Sequence, residues 1–163
     1  MGLDFVRIVE DNQSLVFSLA VRFLRDRECA AELAQDVFLQ LYRQLHRIET
    51  PAHATWWLRR SVCHRCIDEA RKRKLRPRID IASIPEPKAE TREGDFMLNA
   101  RLRKFVEMLP EQARMVVLLR YQEDLDPSDI AEMLSMPVST VKSRLHRSLA
   151  FLRGKLQKQE AYP

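Results

Sequence analysis

The sequence predicts an all-α fold: two small helical domains joined by a flexible linker. Three observations carry that expectation. Apolar residues recur every three or four positions along most of the chain, the spacing of a helix face. Glycine occurs only 3 times, and Val, Ile and Thr never fall into the alternating runs that make strands. Between Leu75 and Asp95 the periodicity lapses, and Pro77, Pro85 and Pro87 lie there among acidic residues. The domains are therefore expected at 1–76 and 96–163, with a tether at 77–95 that is extended when free.

Taken in order, Leu3, Val6, Leu15, Leu19, Phe23 and Leu24 suggest one or two helices, with a break marked by Asp11, Asn12 and Gln13. Asp26 precedes a clear helix to about His46, where Leu33, Val37, Leu41 and Leu45 repeat every four residues and Phe38 and Tyr42 broaden the stripe. Its other face carries Asp36, Gln40 and Arg43 around Leu39, an apolar residue among polar neighbours that suggests a partner surface. Thr50, Pro51 and Ala52 read as a turn, and Ala54–Lys74 as a third helix with Trp57, Leu58, Val62, Cys66 and Ile67 on its buried face. Beyond the tether, Phe96–Leu109 is expected as a helix packing through Leu98, Leu102, Phe105, Val106 and Leu109. Glu111–Tyr121 follows, with Met115, Leu118 and Leu119 inward.

The third helix is strongly basic. Arg59, Arg60, Arg65, Arg71, Lys72, Arg73 and Lys74 stand against only Asp68 and Glu69, beside the aromatic pair Trp56 and Trp57. Aromatic rings next to a basic stripe suit single-stranded nucleic acid, where bases stack and cations follow the backbone. Trp56 is the ring expected to be free for this, and Trp57 is expected in the core.

The C-terminal stretch Asp126–Arg147 reads as two helices and a tight turn. Asp126 can cap the first and Pro127 fits its first position, while Ile130, Ala131 and Leu134 form its apolar face. Ser135, Met136 and Pro137 interrupt the pattern. Val138, Val141, Leu145, Leu149, Leu152 and Leu156 then mark a long amphipathic helix. Ser139, Thr140, Lys142, Ser143, Arg144 and Arg147 lie on its opposite side, and no Asp or Glu occurs from Val138 to Gln159. A short helix, a turn and an acid-free basic helix are the pattern of a helix-turn-helix whose second helix enters the major groove.

Composition bounds the rest. A formal charge of +5, with 28 Lys and Arg against 23 Asp and Glu, favours a polyanionic partner. Met1–Glu10 lacks the apolar segment of a signal peptide, and no apolar run approaches the roughly 20 residues of a membrane span. A cytoplasmic protein is expected. Cys63, His64 and Cys66 form a CxxC with a histidine inside it, but a zinc site needs about four ligands and no second pair accompanies it. With Cys29 the cysteine count is odd, which argues against a disulfide framework. There is no Gly-rich phosphate loop and no nucleophile–base pattern, so no enzyme, cofactor or metal is expected. A stand-alone helix-turn-helix repressor and a metal or redox enzyme on the CxxC are the two rival readings.

Two blocks resemble a known family. DIAEML (Asp129–Leu134) followed by TVKSRLHR (Thr140–Arg147) resembles region 4 of bacterial RNA polymerase sigma factors, with Ser135 where such turns often carry Gly. AAELAQDVFLQLYRQL (Ala30–Leu45) followed by WWLRRSVCHRCIDEARKR resembles region 2 of the small sigma factors of the extracytoplasmic-function class. The resemblance implies a factor that gives core RNA polymerase its promoter choice. Asp36, Leu39, Gln40 and Arg43 would face the clamp helices of the polymerase β′ subunit. Trp56, Arg59, Arg60, His64, Arg65, Asp68 and Arg71 would lie near the separated strands of the −10 element, with His64 where the family often has Asn. Ser139, Thr140, Lys142, Ser143, Arg144 and Arg147 would read the −35 element. The linker would run along the polymerase channels. An anti-sigma protein is a frequent further partner in that class.

Overall fold

A computed structural model describes residues 2–75 and 93–161, the side chains of residues 93–99 excepted. Among these residues the chain is helical and divides into two compact units. The linker expected at 77–95 lies outside the described residues up to residue 92, as does the side chain of Leu98.

The first unit is a bundle of three helices. Helix α1 spans Phe5–Leu24, and Asp4 caps it by accepting from the backbone N–H of Val6 at 3.0 Å and of Arg7 at 3.4 Å. No break occurs at residues 11–13. Asn12 is buried instead, and its side-chain amide donates to the Ile8 carbonyl one turn back at 2.8 Å, so a residue that reads as a breaker is satisfied inside the helix. Arg25 ends the helix in the left-handed region, with φ 56°. Helix α2 spans Arg27–Gln44, capped by Asp26, which accepts from the Cys29 N–H at 3.0 Å. A 3₁₀ turn follows at Leu45–Arg47.

Helix α3 begins earlier than expected, spanning Pro51–Lys74. The turn residues are its start signal: Thr50 accepts from the His53 N–H at 3.1 Å, and Pro51 takes the first helical position, where its missing donor costs nothing. Helix α1 packs on both α2 and α3, which also pack on each other. Val16, Leu19 and Phe23 meet Val37 and Leu41 and the α3 residues Leu58, Val62 and Cys66 in the core. Each such large side chain stabilises the bundle by about 1.5–3 kcal/mol relative to exposure. Trp57, expected in this core, is only half-buried, because it precedes Leu58 by one residue and so leaves the helix about 100° away. Tyr42 also departs from expectation. It is 61% exposed, with its ring edge-on to Phe5 at 5.0 Å.

Among the described residues the second unit has four helices: α4 (Glu93–Glu107), α5 (Glu111–Tyr121), α6 (Pro127–Leu134) and α7 (Val138–Glu160). Helix α7 is the spine against which α4, α5 and α6 all pack. Helix α5 is buried more completely than its sequence spacing suggests, since Met115, Val116, Val117, Leu118 and Leu119 are all inside. Asp126 stands at the N-cap of α6 but makes no side-chain cap bond. The turn after α6 is made by Ser135 at φ 54°, ψ 48°, the left-handed conformation that glycine adopts most easily. The N–H of Met136 closes it by donating to the Ala131 carbonyl at 3.0 Å.

Candidate nucleic-acid and partner interface

Helix α7 presents its candidate residues on one side because Val141, Leu145, Ser148 and Leu152 are buried on the other. Ser139, Lys142 and Arg147 are exposed, while Thr140, Ser143 and Arg144 are half-buried. Two local bonds set the cations. Arg147 donates through Nε and Nη2 to the Ser143 hydroxyl, at 3.2 and 2.6 Å, one turn back along the helix. Arg144 donates through Nη1 to the side-chain oxygen of Gln112 on α5. Nothing in the sequence signals Gln112, since 32 residues separate it from Arg144 and only the packing of α5 on α7 brings them together.

On α3 the candidate residues form a more crowded surface. The Arg60 guanidinium lies over the Trp56 ring, 5.5 Å from its centroid, a cation–π arrangement in which both groups remain partly accessible. Arg59, His64 and Arg65 are half-buried, and Asp68 and Arg71 are exposed, with an N–O distance of 4.0 Å between the last two. Arg65 reaches across to Asp36 of α2 at 3.6 Å. A residue assigned by resemblance to DNA and one assigned to polymerase thus share an ion pair. They line an open cleft of about 340 Å³ between α2 and α3, together with Cys29, Glu32, Asp68 and Lys72.

Arg73 is drawn inward. It pairs with Asp26 at 2.8 Å and Glu69 at 3.5 Å, tying the end of α3 to the start of α2. The Cys29 backbone N–H, followed by Arg73, holds the Asp26 carboxyl below the usual carboxylate range. Burial pushes the Cys29 thiol up, which keeps it protonated and a poor nucleophile. Cys63 and Cys66 are buried in the core with no disulfide. Among the described residues, no group of three or more His, Cys, Asp or Glu side chains is placed to hold a metal ion.

The outward side of α2 completes the picture. Asp36, Leu39 and Arg43 are exposed and Gln40 half-buried, at spacings of three, one and three residues along one helix face. Leu39 is 50% exposed, as its polar surroundings in the sequence imply, and the exposed Tyr42 lies beside it.

The chain thus combines a three-helix bundle whose third helix is basic and aromatic with a second unit built on a helix-turn-helix. Comparison with known proteins makes the class specific. The family model for sigma-70 region 2 matches residues 8–76, and that for sigma-70 region 4 matches residues 99–152. The RNA polymerase sigma-E factor of Streptomyces coelicolor is 30% identical over 154 residues, covering 94% of this chain and 86% of its own length. The ECF RNA polymerase sigma factor SigW of Bacillus subtilis is 26% identical over 170 residues, covering 94% of this chain and 89% of its own. The fold is shared with the sigma factor RpoE of Bartonella quintana, solved in complex with the anti-sigma factor NepR, at a TM-score of 0.74 and 20% identity over 94% of this chain and 97% of that one. The chain belongs to the sigma-70 family of RNA polymerase sigma factors, in its extracytoplasmic-function class. It serves core RNA polymerase in recognising promoters.

Proposed function

We propose a division of labour between the units. Residues 1–76 hold core polymerase and the −10 element, residues 96–163 hold the −35 element, and 77–95 tether them so that binding by one unit raises the effective concentration of the other. On α2, Asp36, Leu39, Gln40 and Arg43 face the β′ clamp helices. On α3, Trp56 with Arg59, Arg60, His64, Arg65, Asp68 and Arg71 receives the separated −10 strand by stacking and phosphate contact. On α7, Ser139, Thr140, Lys142, Ser143, Arg144 and Arg147 meet the −35 major groove, with the cations divided between phosphates and base edges.

The observation that carries this reading is that the α2 and α7 sets lie on helix sides opposite the buried residues, while on α3 Asp68 and Arg71 are exposed and Trp56 and Arg60 remain partly accessible. Arg147, fixed by Ser143 at the middle of that side of α7, is the arginine best placed for a base. No helix among the described residues is long and apolar enough to cross a membrane. A factor that works with polymerase and promoter DNA acts in the cytoplasm. An anti-sigma protein, as on the Bartonella relative, is a further partner of this class.

Capture of core polymerase by the full chain tests the docking surface. Asp36→Arg and Leu39→Asp should each weaken capture by about 100-fold, the loss expected at a hot spot. Both side chains are exposed, so the melting temperature should stay within the range of an ordinary surface substitution. Undiminished capture by both variants would remove α2 as the docking surface.

A further inference from the structure

We propose that Gln112 and Arg144 together clamp a DNA phosphate at the edge of the −35 surface. Gln112 positions the Arg144 guanidinium and donates its own amide N–H to the same phosphate. The proposal rests on the assignment of α7 to the −35 major groove.

Arg144 leaves α7 between the exposed centre and the packed side, directly before buried Leu145 and three residues after buried Val141. From that border its guanidinium meets Gln112, the second residue of α5. Arginine donates only, so the amide must turn its oxygen to Arg144, which leaves the amide nitrogen with two N–H donors beside the guanidinium. The resulting corner carries one full positive charge and several convergent donors.

The neutrality of Gln112 decides what this corner takes. Arg65 and Arg73 of the first unit are held by carboxylates, which offset their charge. Gln112 fixes Arg144 without neutralising it, so the guanidinium keeps the charge and the remaining N–H groups that a phosphate diester binds. Glu111, the nearest carboxylate in sequence, precedes Gln112 by one residue and leaves α5 about 100° around the helix. A base edge is the less suitable ligand. Arg144 lies at the flank of α7, while Ser143 and Arg147 occupy the side that faces a groove floor. A flanking donor pair on one phosphate sets how deeply and in which register the helix sits, and carries no sequence preference of its own.

The test uses the full chain assembled with core polymerase, measured on a library of −35 variants and over a series of salt concentrations. Gln112→Ala should weaken binding by about three- to tenfold, evenly across the library, as loss of a phosphate contact does. Arg144→Ala should do the same and lower the slope of log affinity against log salt by about one. Gln112→Glu is the discriminating variant. A carboxylate holds Arg144 at least as firmly and leaves the melting temperature unchanged, yet repels the phosphate, so binding should fall at least as far as in Gln112→Ala. Wild-type binding by Gln112→Glu would reduce Gln112 to a packing role and overturn the proposal, as would a changed preference at one −35 position. Arg147→Ala is the reference. If it shifts base preference and the Gln112 variants do nothing, only this inference fails; if it too does nothing, the assignment of α7 to the −35 element fails and the clamp falls with it.

Discussion

The two basic helices of this sigma factor look alike in sequence and differ in how their charge is used. In α3 three of the cations meet carboxylates. Arg65 is paired with Asp36, Arg71 with Asp68, and Arg73 with both Asp26 and Glu69. In α7 no acid occurs from Val138 to Gln159, and two arginines of its first half, Arg144 and Arg147, are held by neutral oxygens, those of Gln112 and Ser143. Counting charges along a helix therefore overstates the uncompensated charge of α3 and represents α7 fairly. The difference suits the proposed roles. A unit that grips separated strands works through stacking on Trp56 as well as charge, whereas a major-groove helix depends on arginines that keep theirs.

The largest effect expected from breaking this comparison is at Arg147. Arg147→Ala should cost about 1–3 kcal/mol in promoter binding and relax one −35 position, measured on promoter variants with the polymerase-bound protein. Arg65→Ala, in the paired helix, should cost no more than about 1 kcal/mol of stability, since exposed ion pairs contribute little.

Next is Asp26, which serves at once as the cap of α2 and as the partner of Arg73. Asp26→Ala should destabilise the first unit by about 1–2 kcal/mol in denaturant unfolding, the range of a lost N-cap. The sign of the pH dependence follows from its lowered carboxyl. The folded value lies below the unfolded one, so the stabilisation is present above the unfolded value and is lost as pH falls through the folded value. The first unit should therefore weaken below about pH 4, and Asp26→Asn should lack that component of the acid dependence. The smallest effect is expected in the turn of the second unit. Ser135→Gly should add about 0.5 kcal/mol by relieving the left-handed backbone, partly offset by glycine's greater freedom when unfolded.

The helical class and the exposure of Leu39 were legible in the sequence because they depend on periodicity within single helices. Boundaries failed where a residue type has two meanings. Asn12 reads as a breaker but is a buried donor to its own helix, and Thr50 with Pro51 reads as a turn but is a cap. Trp57 and Tyr42 were misplaced by about one-quarter of a turn, enough to move a side chain from core to rim. The contacts of Arg144 with Gln112, Arg65 with Asp36, and Arg73 with Asp26 bridge different helices. No local pattern encodes them, because they exist only once the bundles have packed.

The division of labour is tested most directly by transcription from a library randomised at both promoter elements, using polymerase assembled with the wild-type chain, with Arg147→Ala or with Arg60→Ala. Arg147→Ala should alter the selected −35 sequence and leave the −10 preference intact. Arg60→Ala, which removes the cation over Trp56, should impair opening at −10 and leave −35 selection intact. Changes at −10 from the α7 variant, or at −35 from the α3 variant, would contradict the assignment of one element to each unit.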